Sequence, residues 1–304
     1  MNGIIVVDKP SGKTSHDVVQ EVKKTLGVKK AGHTGTLDPL ATGILPVCIN
    51  EATKLGPFFS LDTKEYRATM LLGVKTDTQD IEGNVNASDE PRVSLNDIEH
   101  TLHGFIGKIE QIPPRYSAVK FRGKPLYKWA REGIPVDLQP RMVEIFSIDV
   151  EEVALPYVTY KVSCSKGTYV RSLCSDAGDI LGCGACLAGL RRIRCGVFFE
   201  EDAVSLEEIN PDRVISMVDA LPELPVIDVD YPLAEKLGDG YQPVVEMFRF
   251  CHIPFVSVGD MVKLIDERRR LVAIARMLYS SDQLAAFDGK RQAMKILRVF
   301  NRGS

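Results

Sequence analysis

Apolar residues first gather in a short block, Ile4 to Val7, closed by Asp8 and Pro10, and this predicts a buried strand. Val18, Val19, Val22 and Leu26 then recur at helical spacing, with Ser15 placed to cap the helix and Gly27 placed to stop it. A second apolar run, Ile44 to Ile49, predicts another strand. Tyr66, Ala68, Met70 and Leu72 alternate with more polar neighbours, the pattern of a half-buried strand. The acidic, glycine-containing stretch from Thr76 to Pro91 reads as a long hairpin loop. Ser94 with Asp97 forms a capping-box pattern ahead of Ile98, Leu102 and Phe105. Strands are expected near Val143 and over Tyr157 to Cys164, then a turn at Lys166-Gly167-Thr168. Val170, Leu173, Cys174, Ala177 and Ile180 mark a helix from about Tyr169 to Leu181, and Leu190 to Arg194 reads as extended.

Leu221-Pro-Glu-Leu-Pro225 is the best linker in the chain. Beyond it, Gly259 to Ile265, Leu271 to Arg276 and Met294 to Phe300 are short strand-like runs separated by turns. The expectation is an α+β protein with a first domain over residues 1–223 and a small β-rich domain over 224–304. No internal repeat is visible.

Composition narrows the class. Of 304 residues, 26% are charged and 44% hydrophobic, which is ordinary for a soluble globular protein. No apolar run approaches the ~18 residues of a membrane helix, and the N-terminus lacks the pattern of a signal peptide. A cytoplasmic protein with no membrane contact is expected. Seven cysteines show no disulfide framework, and Cys183 and Cys186 form a C-x-x-C without a second paired motif. No metal site is expected, and structural thiols are the favoured reading of that pair, with metal or redox use left open.

The net charge of −3 argues mildly against a nucleic-acid partner. One window runs the other way. Lys108, Arg115, Lys120, Arg122, Lys124, Lys128 and Arg131 face the single acid Glu110, and Tyr116, Phe121, Tyr127 and Trp129 lie among them. Cations interleaved with aromatics suit a phosphate backbone with bases stacked beside it. The window, about 103–140, looks inserted between the Ser94 helix and the Val143 strand.

Chemistry concentrates in Gly32 to Pro46, Gly-His-Thr-Gly-Thr-Leu-Asp-Pro-Leu-Ala-Thr-Gly-Ile-Leu-Pro. One carboxylate, Asp38, stands at the tip of a loop crowded with turn formers and followed at once by a strand. Taken alone, an aspartate before proline is a common turn residue. The whole stretch resembles the signature of the bacterial tRNA pseudouridine synthases of the B type. Further segments resemble that family in the same order: Asp8-Lys-Pro-Ser-Gly-Lys-Thr-Ser15, Lys64-Glu-Tyr-Arg67, Ile112 to Lys120, Cys164-Ser-Lys-Gly-Thr-Tyr-Val-Arg171 and Leu181 to Ala185 followed by Leu190-Arg-Arg. The resemblance covers residues 3 to about 195 and weakens after Pro225.

The resemblance implies isomerisation of uridine 55 in the tRNA T loop, without cofactor or obligatory protein partner, by a monomer. It implies a mixed, mostly antiparallel sheet flanked by helices, followed by a PUA-like domain. Asp38 would be the nucleophile and Arg171 its neighbouring cation, expected to hold the carboxyl pKa down. Tyr66 would stack on the target base and reach the carbon that loses a proton. Tyr169 and Leu190 would contact the flipped nucleotide, and His33 would wedge into the RNA. Lys108 to Arg131 would clamp the RNA, with help from Leu190-Arg-Arg. Two other readings compete: a guide-RNA-dependent pseudouridine synthase, and a non-catalytic RNA-binding or folding protein on the same scaffold. A plain glycosidase is disfavoured, because such enzymes usually pair two carboxylates and the loop holds only Asp38.

Overall fold

The computed structural model describes residues 1–59, 63–249, 251–287 and 289–300. Its centre is a nine-stranded sheet whose main path runs Gly3–Lys9, Thr42–Ile49, Ala185–Cys195, Lys64–Leu72, Tyr157–Cys164, Arg141–Ala154, Gly107–Gln111. Neighbours on that path are antiparallel except one pair: Thr42–Ile49 runs parallel to Ala185–Cys195, with Arg192 opposite Gly43. The mixed, mostly antiparallel sheet is therefore present.

Both faces of the sheet are covered. Ile5, Val7, Ala68 and Met70 pack under the helices Ser15–Thr25, Leu95–His103 and Val170–Ile180. Ile4, Val6 and Ile44 face the other way, into a core completed by Phe59, Phe198 and Met217 and by Ile265, Ile274 and Phe300 from the C-terminal part. A strand buried on two sides has no polar face, which is why Ile4 to Val7 reads as a continuous apolar run. Lys64–Leu72 instead shows its period of two, with Tyr66, Ala68, Met70 and Leu72 buried.

Two local expectations change. The first helix is capped by Thr14, in a capping box with Asp17, not by Ser15. Ser15 is buried and turns its hydroxyl to Leu37 instead. The acidic stretch after Thr76 is only partly a solvated hairpin: Val74–Thr76 pairs with Val85–Ser88, but the intervening turn folds inward and buries Asp80.

The C-terminal part is a four-stranded sheet in the order Val226–Asp228, Met261–Ile265, Leu271–Met277, Met294–Val299. It carries two helices that periodicity did not reveal, Tyr231–Gly238 and Ser281–Ala286. Lys263, buried at its base, donates to the Val218 and Leu221 carbonyls at 2.9 and 2.7 Å, tying the sheet to the linker.

Gly43 holds the parallel pair together. Its φ is +95°, and a Cβ there would lie 2.2 Å from the Arg192 carbonyl oxygen. Gly43→Ala is expected to destabilise the fold by more than about 3 kcal/mol, combining left-handed strain with a backbone clash. Urea unfolding measures it; a loss below about 1 kcal/mol would contradict the geometry.

Candidate active site

Asp38 is held by its neighbours on either side. Before it, the Ser15 hydroxyl donates to the Leu37 carbonyl at 2.9 Å and accepts from the Leu37 N–H at 2.8 Å. After it, the Pro39 carbonyl accepts from Lys9 Nζ at 3.1 Å and from the Gly12 N–H at 2.9 Å. Lys9 is fully buried and also donates to the Pro10 and Lys13 carbonyls, so it pins the loop rather than facing solvent. Burial brings its pKa down to about 8, with Asp38 opposing. Beneath the loop lies a second buried cation, Arg192, whose Nε donates to the Ile44 carbonyl at 2.8 Å and Nη2 to Gly35 at 3.2 Å. The loop backbone is thus fixed by side chains from the first strand, the first helix and Ala185–Cys195, and the Asp38 side chain lines the pocket beside it.

Arg171, at the start of the Val170–Ile180 helix, meets that side chain. Its Nε lies 2.9 Å from Asp38 Oδ2, an ion pair whose N–H is not aimed well enough to make a hydrogen bond. The other nitrogens are committed elsewhere: Nη1 donates to the Thr78 carbonyl at 3.0 Å and faces Asp80 Oδ2 at 3.5 Å, while Nη2 donates to the Tyr116 carbonyl at 2.9 Å. Asp80 is held in turn by the Thr78 hydroxyl at 2.6 Å. The guanidinium is 4% exposed, whereas the Asp38 carboxyl keeps 37% of its surface open toward the pocket.

This geometry corrects one expectation. Arg171 is where the resemblance puts it, yet the Asp38 pKa is raised, not lowered. Burial among protein atoms is the largest cause, Arg171 pulls the other way, and the Asp80 charge adds to the rise. A cation already bonded to two carbonyls and shared with a second carboxylate has less charge to give to the first.

Asp38 and Arg171 lie in a pocket of about 400 Å³ that also exposes Tyr66, Tyr169 and Leu190. The Tyr66 phenol is pushed up to about 12 by burial, against the pull of Arg192, so at neutral pH it is a protonated ring and not a resting base. Tyr169 caps the helix in extended conformation. Its backbone is clamped at two points by Gln111, whose amide accepts from the Tyr169 N–H at 2.7 Å and donates to its carbonyl at 3.0 Å. His33 lies outside the pocket lining, on the short strand Ala31–His33, while the next residue, Thr34, faces inward. Burial and Arg192 lower the His33 pKa, leaving it neutral near pH 7. A larger hollow of about 840 Å³, lined by Lys75, Asp77, Arg115 and Asp137, holds none of the sequence-identified catalytic residues.

The basic window is organised differently from expectation. Lys108 stands on the edge strand Gly107–Gln111 opposite Glu144, so the protruding segment is 112–140. Within it three of the four aromatics carry one of the window's own cations: Arg122 lies over Phe121, Lys124 over Trp129 and Arg131 over Tyr127, at 5.2, 4.5 and 5.5 Å from the ring centres. Lys124 also pairs with Glu132. Each of these three rings therefore has one face taken by a cation of the same segment. Lys108, Arg115, Lys120, Arg122, Lys128 and Arg131 are exposed. The Leu190-Arg-Arg element contributes no free cation, because Arg191 is held by Asp8 and Glu200 and Arg192 is buried.

Sequence reasoning missed Asp80, Gln111 and Ser117 as parts of this centre, and it did not foresee that Arg192 is buried beneath the loop. Asp80 had one local signal, an acid two residues after a threonine able to bond it. Cys183 and Cys186 are both buried. Among the described residues no group of three or more His, Cys, Asp or Glu is placed to hold a metal ion, and no helix is long and apolar enough to cross a membrane.

Comparisons with known proteins follow the same lines. Residues 23–170 match the model of the TruB family pseudouridylate synthase N-terminal domain, residues 171–217 the tRNA pseudouridylate synthase B C-terminal domain, and residues 254–300 the PUA domain. The chain is 55% identical to tRNA pseudouridine synthase B of Syntrophus aciditrophicus, covering 99% of each chain. It is 42% identical to the protein of that name from Geobacter sulfurreducens, covering 99% of this chain and 100% of the relative. Among solved structures, an H/ACA ribonucleoprotein bound to a substrate RNA containing 2′-deoxyuridine includes a chain that aligns at TM-score 0.73 and 26% identity, over 98% of this chain and 85% of that one. A Cbf5–Nop10–Gar1 complex aligns at TM-score 0.72 and 29% identity, over the same shares.

Proposed function

The chain belongs to the TruB family of tRNA pseudouridine synthases, and from that premise we propose that it isomerises uridine 55 of the tRNA T loop with Asp38 as its nucleophile. The observation that carries this is the Asp38–Arg171 ion pair in the wall of a pocket also lined by Tyr66, Tyr169 and Leu190. Isomerisation breaks the N1–C1′ bond, turns the base and rejoins it through C5. A carboxylate attacks carbon, or stabilises a cationic sugar, with no other cofactor. The rigid loop positions it, and the open third of its surface is the part a nucleotide would meet. A uridine stacked inside the tRNA elbow cannot reach into that pocket, so it must be everted, at a cost of a few kcal/mol. Tyr66 and Leu190 give the displaced base an aromatic and an apolar wall, and one base–aromatic stack returns roughly 1–3 kcal/mol.

The exposed cations of the insertion are the proposed RNA clamp, with His33 wedging into the loop beside them. Arg122, Lys128 and Arg131 replaced together by Ala should weaken tRNA binding and reduce the salt slope by about 2–3, since each phosphate contact contributes roughly 0.7–0.9. The rate from the saturated complex should change little. A slope unchanged in filter binding would place the clamp elsewhere.

A second reading keeps a specific observation in its favour: the solved structures it resembles include H/ACA ribonucleoproteins. Identity over the full length favours the tRNA reading, at 42–55% against 26–29%. One assay separates them. Purified protein alone, with tRNA transcript tritiated at uridine C5, should release label to water, and a transcript with cytidine at position 55 should release none from that site. Release only on addition of guide RNA would favour the second reading. We further propose that the protein acts as a cytoplasmic monomer, with its catalytic domain over 1–223 and its PUA-like domain over 224–304.

A further inference from the structure

Burying a hydroxyl without a partner is costly, and buried polar groups are nearly always paired. Among the described residues, four buried side-chain atoms have no hydrogen-bond partner: His33 Nδ1, Thr34 Oγ1, Ser117 Oγ and Arg171 Nε. Three of those residues, Thr34, Ser117 and Arg171, line the Asp38 pocket. Unpaired polar atoms gathered at one place mark where a polar ligand belongs. Arg171 Nε already has the Asp38 carboxylate at 2.9 Å. Ser117 has no charged partner of that kind and is only 4% exposed.

Ser117 is carried by the insertion, and its backbone is fixed from both sides. Its carbonyl accepts from the Tyr127 N–H at 3.1 Å, and the preceding carbonyl, of Tyr116, accepts from Arg171 Nη2 at 2.9 Å. The next residues, Ala118 and Val119, share the pocket wall and offer no polar side-chain atom. We propose that Ser117 is a specificity residue whose hydroxyl donates to a carbonyl oxygen, O2 or O4, of the everted uracil. Tyr66 and Leu190 offer the base its faces; a hydroxyl at its edge supplies what a ring and a methyl group cannot. The insertion then does more than hold phosphates, because it completes the nucleotide pocket. The inference rests on the reading of Asp38 as the centre of the reaction.

The Tyr169 phenol is close enough to this hydroxyl for a hydrogen-bonding interaction that opposes the rise burial causes in its pKa, but the geometry leaves the Ser117 oxygen without a well-formed bond. A Ser117 that merely orients Tyr169 is the competing role, and the test must separate the two. Single-turnover rates are measured for the native protein and Ser117→Ala, with saturating T-loop RNAs carrying uridine, 2-thiouridine or 4-thiouridine at the target. With uridine, the variant is expected to lose roughly two- to tenfold in rate, the range of one neutral hydrogen bond, with RNA affinity unchanged within about twofold. With one of the two thio RNAs that penalty should all but vanish, because sulfur accepts poorly and the bond is already lost. An equal penalty on all three RNAs would assign Ser117 to positioning Tyr169 and overturn the proposal, as would no penalty on any. Should the native protein leave the uridine RNA unconverted, the reading of Asp38 falls and takes this one with it. Conversion by the native protein with an unimpaired variant removes Ser117 alone.

Discussion

Asp38→Asn is expected to reduce single-turnover pseudouridine formation by roughly 10⁴-fold or more, the scale on which nucleophile removal acts in other covalent mechanisms. Affinity for tRNA should stay within about threefold, since a carboxylate contributes no attraction to phosphate. The substitution keeps the size of the side chain and removes its charge and nucleophilic oxygen. Stability gives a second, independent reading. The folded-state pKa of Asp38 is raised, chiefly by burial, so the native fold prefers the protonated form. The ionised carboxyl then works against folding above that raised pKa, and the cost disappears as pH falls through it. Asn, neutral throughout, should leave the protein at least as stable as the native chain near pH 7, with the difference closing in acid. Activity runs the opposite way, because attack requires the ionised form: the native rate should fall on acidification at a higher pH than an ordinary aspartate would give. Loss of turnover without loss of stability is the signature of a group retained for chemistry. More than about a hundredth of the native rate surviving in the variant would remove Asp38 from the nucleophile's role.

How much of this was legible depends on how far each signal reaches along the chain. The alternation from Tyr66 to Leu72 and the capping box at Ser94 and Asp97 are local, and both elements form as read. The Thr14 cap was also within reach, because Thr14 and Asp17 make the S/T-x-x-D spacing that Ser15 does not. Asp38 and Arg171 became visible through motif resemblance, not through periodicity. What stayed hidden depends on contacts across the sequence: Asp80 meets Arg171, Arg192 reaches back to Ile44, and Gln111 clamps Tyr169. A buried arginine within Leu190-Arg-Arg looks identical to an exposed one until strand order puts Ala185–Cys195 beside Thr42–Ile49. The pairing inside the insertion was hidden for a similar reason. Interleaving with cations suggested base stacking, and it does not reveal that Phe121, Tyr127 and Trp129 each also hold a cation of the same segment.

Arg171 supports the second large prediction. Its guanidinium spans Asp38, the Thr78 carbonyl, Asp80 and the Tyr116 carbonyl, so it joins the signature loop, the inward turn and the insertion at one buried point. A planar fork makes these contacts at once; an ammonium is a point charge and cannot. Arg171→Lys is therefore expected to lower the single-turnover rate by roughly 10²-fold or more, on the order of 2.7 kcal/mol of transition-state stabilisation. Arg171→Ala should also cost about 3–5 kcal/mol in urea unfolding, since it strands the buried Asp80 carboxylate. The two carboxylates make the effect diagnostic. With no positive charge opposing burial, the Asp38 pKa should climb further in Arg171→Ala, and the acid limb of its rate profile should move to higher pH. Asp80→Asn acts in the reverse sense. It removes a charge that raises the Asp38 pKa, so its acid limb should move to lower pH. Combined with Arg171→Ala it should cost less in stability than the two single losses added, because the stranded charge is gone. Strict additivity, with acid limbs unmoved, would mean that Arg171 only fastens the insertion to the helix and that Asp38 works without it.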